Sequence, residues 1–169
     1  MQLSDVYLGL GGNIGDSRSI LKHALEMIGQ LDSVFEVKCS KFYRTSPVSN
    51  IPQPDYINAA AYLKTSLPAY ALFQKLQNIE KILGKTAKKK NEPRTIDIDI
   101  LFFDSQMTNI NDLILPHPRW NERLFVLIPL LDLTPEIKMT YKNQTKTFKI
   151  KDIVHSLSYH NNETIIPLE

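Results

Sequence analysis

Two aspartates near the middle of the chain, Asp97 and Asp99, have the spacing that most directly indicates chemistry. They alternate with isoleucines, so on a strand both carboxylates project from one face, with Cα atoms about 6.5 Å apart. The opposite, core-facing side is predicted to hold Ile96, Ile98, Ile100 and Phe102. Adjacent carboxylates repel each other and are seldom left without a cation. Because Mg²⁺ binds one or two carboxylates together with phosphate oxygens, the pair indicates a magnesium site for a polyphosphate.

Basic residues precede this pair. Arg94 follows Pro93 directly, and Lys85, Lys88, Lys89 and Lys90 lie in the loop before it. An arginine beside two carboxylates suits a triphosphate, whose charge neither the metal nor the arginine neutralises alone. The alternative is an exposed acidic strand beside a solvated basic loop. We favour an ATP-dependent phosphotransferase.

Glu80 and Gln77 belong to the helix predicted before this loop, which opens at Ser66 and Pro68 and stops at Gly84. Glu80 falls about 80° from Leu72 on a helical wheel, inside the apolar arc. A carboxylate there either lies at the rim of a pocket or pairs with a loop lysine, and the pattern does not decide between them.

Tyr56 and Asn58 share a strand face, which suits stacking and edge recognition of a flat heterocycle. Cross-strand tyrosine contacts are an equally ordinary explanation.

Two phosphate-binding motifs are excluded. The Gly84-Lys85-Thr86 triplet lacks the earlier glycine of a Walker A loop, since Ile79 occupies that position. The run from Gly9 to Gly15 lacks the third glycine of a dinucleotide fingerprint, because that position is Ile14. We interpret the glycine run as a tight turn from strand to helix.

The elements that must position these residues are predicted strands at 6–10, 34–43, 57–63 and 95–103, with helices after the first and third strands. A helical turn is predicted near 119–126, then a polar hairpin and a short helix from Ile137 onward. Strands joined by tight loops as well as helices indicate an α+β fold, with an antiparallel sheet and helices packed on it.

Length and composition favour one domain over 1–169, with 137–169 as a less defined tail. The net charge of +2 gives no indication of a nucleic-acid or membrane-surface binder. Cys39 is the single cysteine, and no basic–apolar leader or long apolar span is present, so we expect a cytoplasmic protein. A monomer is the simpler expectation.

Several separate motifs together resemble one family, the 6-hydroxymethyl-7,8-dihydropterin pyrophosphokinases of folate biosynthesis. The matching segments are GGNIGD at 11–16, FYRTSPV at 42–48, QPDYIN at 53–58, PRTIDIDILFF at 93–103, LPHP at 115–118, RLFVL at 123–127 and Pro129-Leu130. They cover about 6–135 in order and with compatible spacing.

The resemblance implies a ferredoxin-like core and transfer of pyrophosphate from ATP to the pterin, releasing AMP, with two Mg²⁺ ions on Asp97 and Asp99. It implies that Arg94 and Lys85 act on the phosphates. ATP would contact Gln77, Glu80, His117 and Arg123. The pterin would contact Thr45, Ser46, Val48, Tyr56, Asn58 and Phe125, sandwiched between the two aromatic rings.

The sequence departs from this family in the loop before Arg94. Lys85 stands where many members have arginine, and a second arginine expected near Ala87 is missing. Lysine keeps the charge and loses the bidentate fork, for which Lys88, Lys89 or Lys90 could compensate.

Two rival functions remain open at this stage. An inactive homologue that binds pterin or nucleotide is supported only by the altered loop. An RNA-binding ferredoxin-like module would need stacked aromatics in an RNP pattern, which the sequence lacks, and would leave Asp97 and Asp99 unexplained.

Overall fold

The long strand β1 lies inside the main sheet, between β4 and β5, in the computed structural model, which describes residues 2–86, 92–159 and 162–169. The strands are β1 (Ser4–Gly12), β2 (Val34–Cys39), β3 (Tyr43–Thr45), β4 (Tyr56–Thr65), β5 (Asp97–Phe103), β6 (Thr108–Ile110), β7 (Leu113–Leu115), β8 (Glu136–Tyr141), β9 (Gln144–Lys149) and β10 (Ile165–Pro167). The helices are α1 (Ser17–Gly29), α2 (Ala69–Ile82), α3 (Leu124–Leu131) and α4 (Ile150–Ser158).

The main sheet is antiparallel, with the order β10-β3-β4-β1-β5, and β2 pairs with the other end of β4. Helix α1 follows β1, and α2 connects β4 to β5. This is the ferredoxin-like α+β arrangement, so the predicted fold is confirmed. The β6–β7 and β8–β9 hairpins lie outside this sheet.

Two apolar clusters cover the two faces of the sheet. Helices α1 and α2 pack on one face around Val6, Leu8, Ile98 and Ile100. On the other face α3 and α4 pack around Leu101 and Phe102 with the indole of Trp120. Both faces are therefore covered by helices, as an α+β sandwich requires.

Strand β5 confirms the alternation around the aspartates and corrects one residue. Ile96, Ile98 and Ile100 belong to the α1–α2 cluster, whereas Phe102 packs on the opposite face. The register against β1 shifts between Tyr7 and Leu8, which pair with Phe102 and Ile100. This β-bulge adds one residue to β5 and moves Phe102 to the other face.

The predicted helices are confirmed, and the limits of one of them differ from the prediction. Asp16 caps α1 by accepting a hydrogen bond from the Ser19 N–H at 3.2 Å, and Gly84 ends the α2 segment with a φ of 91°. Helix α3 begins at Leu124, later than the predicted 119–126 turn. Its run LFVLIPLL is apolar throughout, so no helical period marks its limits.

The glycine run is not the turn that the sequence predicted. Gly9, Gly11 and Gly12 lie within β1, and only Gly15 of the run has a positive φ, at 74°. Gly11 and Gly12 are needed instead because neighbouring segments of the chain approach their Cα atoms closely. A Cβ at Gly11 would collide with the Asn58 side chain, and one at Gly12 would collide with the Thr95 carbonyl.

The tail from Ile137 forms the predicted hairpin, β8–β9, and then the predicted short helix, α4. Ile137 and Ile150 are buried in the cluster beneath α3. Strand β10, which the sequence did not predict, adds to the edge of β3.

Candidate active site

A cleft with a volume of about 300 Å³ opens on the sheet face that carries the two aspartates. Its walls come from β1, β3, β4, β5, the His117 loop and the start of α3. It brings together eleven residues that the sequence predicted: Thr45, Ser46, Val48, Tyr56, Asn58, Arg94, Asp97, Asp99, His117, Arg123 and Phe125. The chain thus collects at one place residues up to 80 positions apart.

The two carboxylates lie at one end of the cleft. Asp97 and Asp99 project from the same side of β5. Farther along that side, Leu101 is buried in the core. Asp97 is held by two cations: Arg94 Nη1 lies 2.8 Å from Oδ2, and Lys85 Nζ lies 2.6 Å from Oδ1. Each Asp97 oxygen is therefore already paired, whereas Asp99 has only the more distant His117 Nε2, at 3.8 Å, among its ion-pair partners within the described residues.

Asp99 has the strongly perturbed pKa of this pair. Its side chain is 42% exposed and lines the cleft. Burial and then repulsion from Asp97 and Glu80 raise the pKa of Asp99 to about 7. A bound cation would relieve this repulsion, as expected of a carboxylate placed to hold one.

Glu80 lies on α2 and contacts the backbone of β5 between the two aspartates. Its Oε1 accepts a hydrogen bond from the Ile98 N–H at 2.5 Å, and its Oε2 lies 2.9 Å from Lys85 Nζ. Burial raises the pKa of Glu80, and these two partners partly offset the effect. Of the two explanations for its place in the apolar arc, the structure supports the pairing with a loop lysine, because Glu80 is buried and is not among the residues that line the cleft.

Neither Lys85 nor Gln77 is among the residues that line the cleft, but Lys85 contacts Asp97, which is. Burial disfavours the Lys85 ammonium, but its bonds to Asp97 and Glu80 raise its pKa overall, so it stays charged. Gln77 lies half-buried on α2, three residues before Glu80, and is not among the residues that line the cleft. The predicted compensation by Lys88, Lys89 or Lys90 lies outside the described residues, as does Ala87.

Asn13 fixes the position of Arg94, a role that sequence reasoning missed. Its Oδ1 accepts from the Arg94 N–H, and its own N–H donates to the Arg94 carbonyl, both at 2.9 Å. Its Nδ2 donates at 3.0 Å both to Gln53 Oε1 and to the Pro54 carbonyl. The end of β1 therefore clamps the arginine segment to the loop before β4. In the sequence, the only signal for this role was an asparagine directly after two glycines.

His117 and Arg123 line the cleft beside Asp99, and of the two Arg123 supplies the positive charge. The His117 Nδ1 accepts the Arg119 N–H at 3.1 Å, so in the neutral ring the proton is on Nε2, facing Asp99. Burial and then the Arg123 charge lower the pKa of His117. The Arg123 guanidinium lies 5.5 Å from the centre of the Phe125 ring, within cation–π range.

The lining of the cleft also contains aromatic and amide side chains. Tyr56 and Phe125 both line it, from β4 and α3. Asn58 is 6% exposed, and its Nδ2 donates to Thr45 Oγ1 at 2.7 Å. The absence of a side chain at Gly11 leaves room for this amide. The arrangement can hold a flat ring with hydrogen-bonding edges.

Arg119, Glu122 and Glu163 also line the cleft and were missed from the sequence. Arg119 Nε lies 2.9 Å from Glu122 Oε2 in an exposed pair. Arg119 follows the LPHP segment, which could have suggested it. Glu163 comes from the tail, and nothing in its local sequence indicates a site.

The donor set fits Mg²⁺ bound together with phosphate. Two carboxylates supply only oxygen donors, and the described part of the chain contains no cluster of three or more His, Cys, Asp or Glu side chains that could hold a metal. The described residues therefore do not surround a metal ion with protein ligands alone. Mg²⁺ is the ion that usually completes its coordination shell with water and substrate phosphates. No helix among the described residues is long and apolar enough to cross a membrane.

Comparison with known proteins gives concordant matches in sequence. Residues 7–135 match the family model of 7,8-dihydro-6-hydroxymethylpterin-pyrophosphokinase. The 2-amino-4-hydroxy-6-hydroxymethyldihydropteridine pyrophosphokinase of Bacillus subtilis is 40% identical over 132 residues, covering 78% of this chain and 79% of that protein. The enzyme of the same name from Methylorubrum extorquens is 36% identical over 135 residues, covering 80% of this chain and 85% of that protein.

Solved structures show the same fold at low sequence identity. Wild-type Plasmodium falciparum HPPK-DHPS, crystallised with STZ-DHP, gives a TM-score of 0.66 at 15% identity over 94% of this chain and 42% of that one. An HPPK-DHPS in complex with substrates gives a TM-score of 0.69 at 15% identity, over 96% of this chain and 45% of that one. The chain thus spans less than half of these two-part proteins. By the extent of the family match and the identity to its relatives, the chain belongs to the 7,8-dihydro-6-hydroxymethylpterin-pyrophosphokinase family.

Proposed function

We propose that this cleft transfers the β,γ-diphosphoryl group of ATP to the hydroxymethyl oxygen of 6-hydroxymethyl-7,8-dihydropterin and releases AMP. Family membership supports the reaction. The observation that carries the assignment is the carboxylate pair, which lines one cleft together with arginine and aromatic side chains. These three groups of side chains match the metal, the triphosphate and the pterin.

Asp97 and Asp99 are the residues that hold magnesium, two ions in this proposal. When bound, the ions neutralise the triphosphate and orient it for in-line attack. Asp97 is now paired with Arg94 and Lys85. With a metal ion held by the Asp97 carboxylate, Arg94 would be free to bind phosphate oxygens, and Lys85, still paired with Glu80, could reach them as well.

The cations and the histidine stabilise charge where it develops. The hydroxymethyl oxygen gives up its proton to water and forms a bond to the β-phosphorus as the bond from that phosphorus to the AMP oxygen breaks, so negative charge grows on the leaving phosphate. Arg94 and Lys85 act on the transferred group, and His117 donates its Nε2 proton in a hydrogen bond to phosphate, beside Arg123. Glu80 positions Lys85, and Gln77 lies on the nucleotide side. No covalent enzyme intermediate is needed.

The pterin lies between Tyr56 and Phe125. Asn58 bonds the ring edge, and the backbone of Thr45, Ser46 and Val48 contacts it along one wall. Residues 1–169 act as one domain in this proposal, as a monomer that binds only small molecules.

The test mixes purified protein with ATP, Mg²⁺ and 6-hydroxymethyl-7,8-dihydropterin, and measures AMP by chromatography. We expect pterin-dependent AMP release, which Asp97→Ala and Asp99→Ala abolish while retaining a folded far-UV spectrum. Asp112→Ala is the control, since Asp112 is exposed at the β6–β7 turn and does not line the cleft. Tight pterin binding without AMP release would favour the inactive homologue, and no pterin binding would leave the site assignment without support.

A further inference from the structure

The C-terminal end of helix α3 is hydrogen-bonded to strand β3 and to the residues just before it. The Oδ2 of Asp132, the C-cap residue of the helix, accepts the Lys41 N–H at 3.0 Å and the Tyr43 hydroxyl at 2.8 Å. Tyr43 is buried on β3, two residues before Thr45, which lines the cleft. We call these two hydrogen bonds the Asp132 contact. It joins two elements that both contribute side chains to the cleft.

A carboxylate is not what the helix itself favours at this position. The macrodipole places partial negative charge at the C-terminus of a helix, so an acidic residue there is unfavourable. The last turn of α3 has no basic residue to offset it. The two donors from outside the helix do so instead. Burial and then the hydrogen bond to Asp132 raise the pKa of Tyr43 to about 12, so its hydroxyl remains a donor at neutral pH.

Helix α3 carries Phe125 into the cleft and depends on outside contacts for its direction. Pro129 has no N–H to donate to the Phe125 carbonyl, so this turn lacks a backbone hydrogen bond. The buried side chains of Leu127 and Leu130 hold the helix on the sheet, but apolar contacts are non-directional. The Asp132 contact is directional, and it acts about 10 Å along the helix from Phe125.

We infer that Asp132 is a positioning residue, which fixes the separation between Phe125 and the strands that supply the rest of the cleft. This inference rests on the proposed function, in which the pterin ring lies between Phe125 and Tyr56. A stacked ring needs both aromatic faces at contact distance, so a rotation of the helix weakens pterin binding. Arg123 precedes the same helix, but its side chain has many rotamers and can follow a phosphate. Nucleotide binding therefore depends much less on the Asp132 contact.

The experiment measures two dissociation constants by titration calorimetry with Mg²⁺, one for a non-hydrolysable ATP analogue and one for the dihydropterin in its presence. Asp132→Ala removes the acceptor of both hydrogen bonds. We expect about three- to tenfold weaker binding of the dihydropterin, with binding of the analogue within about twofold of the parent. Asp132→Asn keeps an acceptor oxygen, so it should restore dihydropterin binding to within about twofold. Tyr43→Phe removes one hydroxyl, keeps the Lys41 bond and should give an intermediate value.

Tyr62→Phe is the matched control. The Tyr62 hydroxyl also donates to a carboxylate, Asp5 Oδ1, at 2.6 Å. Tyr62 lies on β4 and is not among the residues that line the cleft. The substitution removes a hydrogen bond of the same kind elsewhere on the sheet. It should leave the binding of both ligands unchanged.

Three results would overturn the inference. Unchanged dihydropterin binding by Asp132→Ala, or by Tyr43→Phe if the alanine variant does not fold, would show that the contact does not position the helix. Equal weakening of both ligands, or weaker dihydropterin binding by Tyr62→Phe, would indicate a general loss of stability. Failure of Asp132→Asn to restore binding would show that the negative charge, rather than the contact, is what matters. If the parent protein bound no dihydropterin, the proposed function itself would fail, which is distinct from a loss confined to the variants.

Discussion

Gly12→Ala is the substitution whose consequence the structure defines most closely. A Cβ at this position would lie 3.0 Å from the Thr95 carbonyl carbon and 3.4 Å from the Arg94 oxygen, and closer still to the Thr95 oxygen. These neighbours are backbone atoms and cannot rotate away. Normal carbon contacts need about 3.5 Å or more, so the strand and the Arg94–Thr95 segment must separate by roughly 1 Å.

That separation acts on the clamp between Asn13 and Arg94. Its two hydrogen bonds are 2.9 Å long, and a shift of roughly 1 Å takes both beyond bonding range. Two lost bonds cost about 2 kcal/mol, and steric strain brings the loss in unfolding free energy to roughly 2–4 kcal/mol. Misplacing Arg94 by this distance should lower kcat by about 100-fold.

The assay compares Gly12→Ala with Gly29→Ala. At Gly29, at the exposed end of α1, the nearest atom to a new Cβ is Val37 Cγ2 at 3.9 Å, so alanine is accommodated there. Urea unfolding gives the stability and initial rates of AMP release at saturating substrates give kcat. If Gly12→Ala stays within about 1 kcal/mol of Gly29→Ala and within threefold in kcat, the close-approach explanation of the glycine pair is wrong.

Three further predictions concern the charged end of the cleft. Glu80→Ala leaves the Ile98 N–H without its acceptor and should lower the unfolding free energy, measured in urea, by about 1–3 kcal/mol. A loss under about 0.5 kcal/mol would contradict this prediction. Lys85→Met should lower kcat at least about tenfold while Lys85→Arg keeps most of it, and equal rates would deny the lysine a role at the phosphates. In metal-free protein the raised pKa of Asp99 means that the folded state binds more protons than the unfolded state between about pH 4 and 7, so stability contributed by this group falls as pH rises to 7. Thermal melts should then show Asp99→Asn to be more stable than the parent at pH 8, with the difference shrinking toward pH 5, and no such convergence would contradict the shift.

The local features of β5 could be predicted because a strand has a period of two residues. Alternation of aspartate with isoleucine was enough to assign the face of both carboxylates and the core positions up to Ile100. It failed at Phe102, because Leu101, Phe102 and Phe103 are all apolar and no change of pattern marks the bulge. A bulge depends on the neighbouring strand, which a single segment does not contain.

The short strands escaped prediction for a related reason. Strands β6, β7 and β10 have three residues each, too few to establish a period. Strand β10 forms because β3 offers a free edge. Ile165 of β10 pairs there with Thr45, which lies 120 positions earlier in the chain. Such pairing is decided by tertiary structure, and for that reason Glu163 could not be placed in the cleft from the sequence.

The position of Glu80 has a cause that extends beyond its own ion pair. Without a bound metal, Asp97 neutralises Arg94 and shares Lys85 with Glu80. A metal ion on Asp97 would remove one of the two carboxylates from Lys85, and a half-buried ammonium without any partner would be costly. In the proposed site Glu80, buried and fixed by the Ile98 N–H, would retain that lysine while its other donors turned to the phosphates. The carboxylate in the apolar arc of α2 would therefore allow Asp97 to exchange a protein cation for a metal ion without leaving Lys85 unpaired.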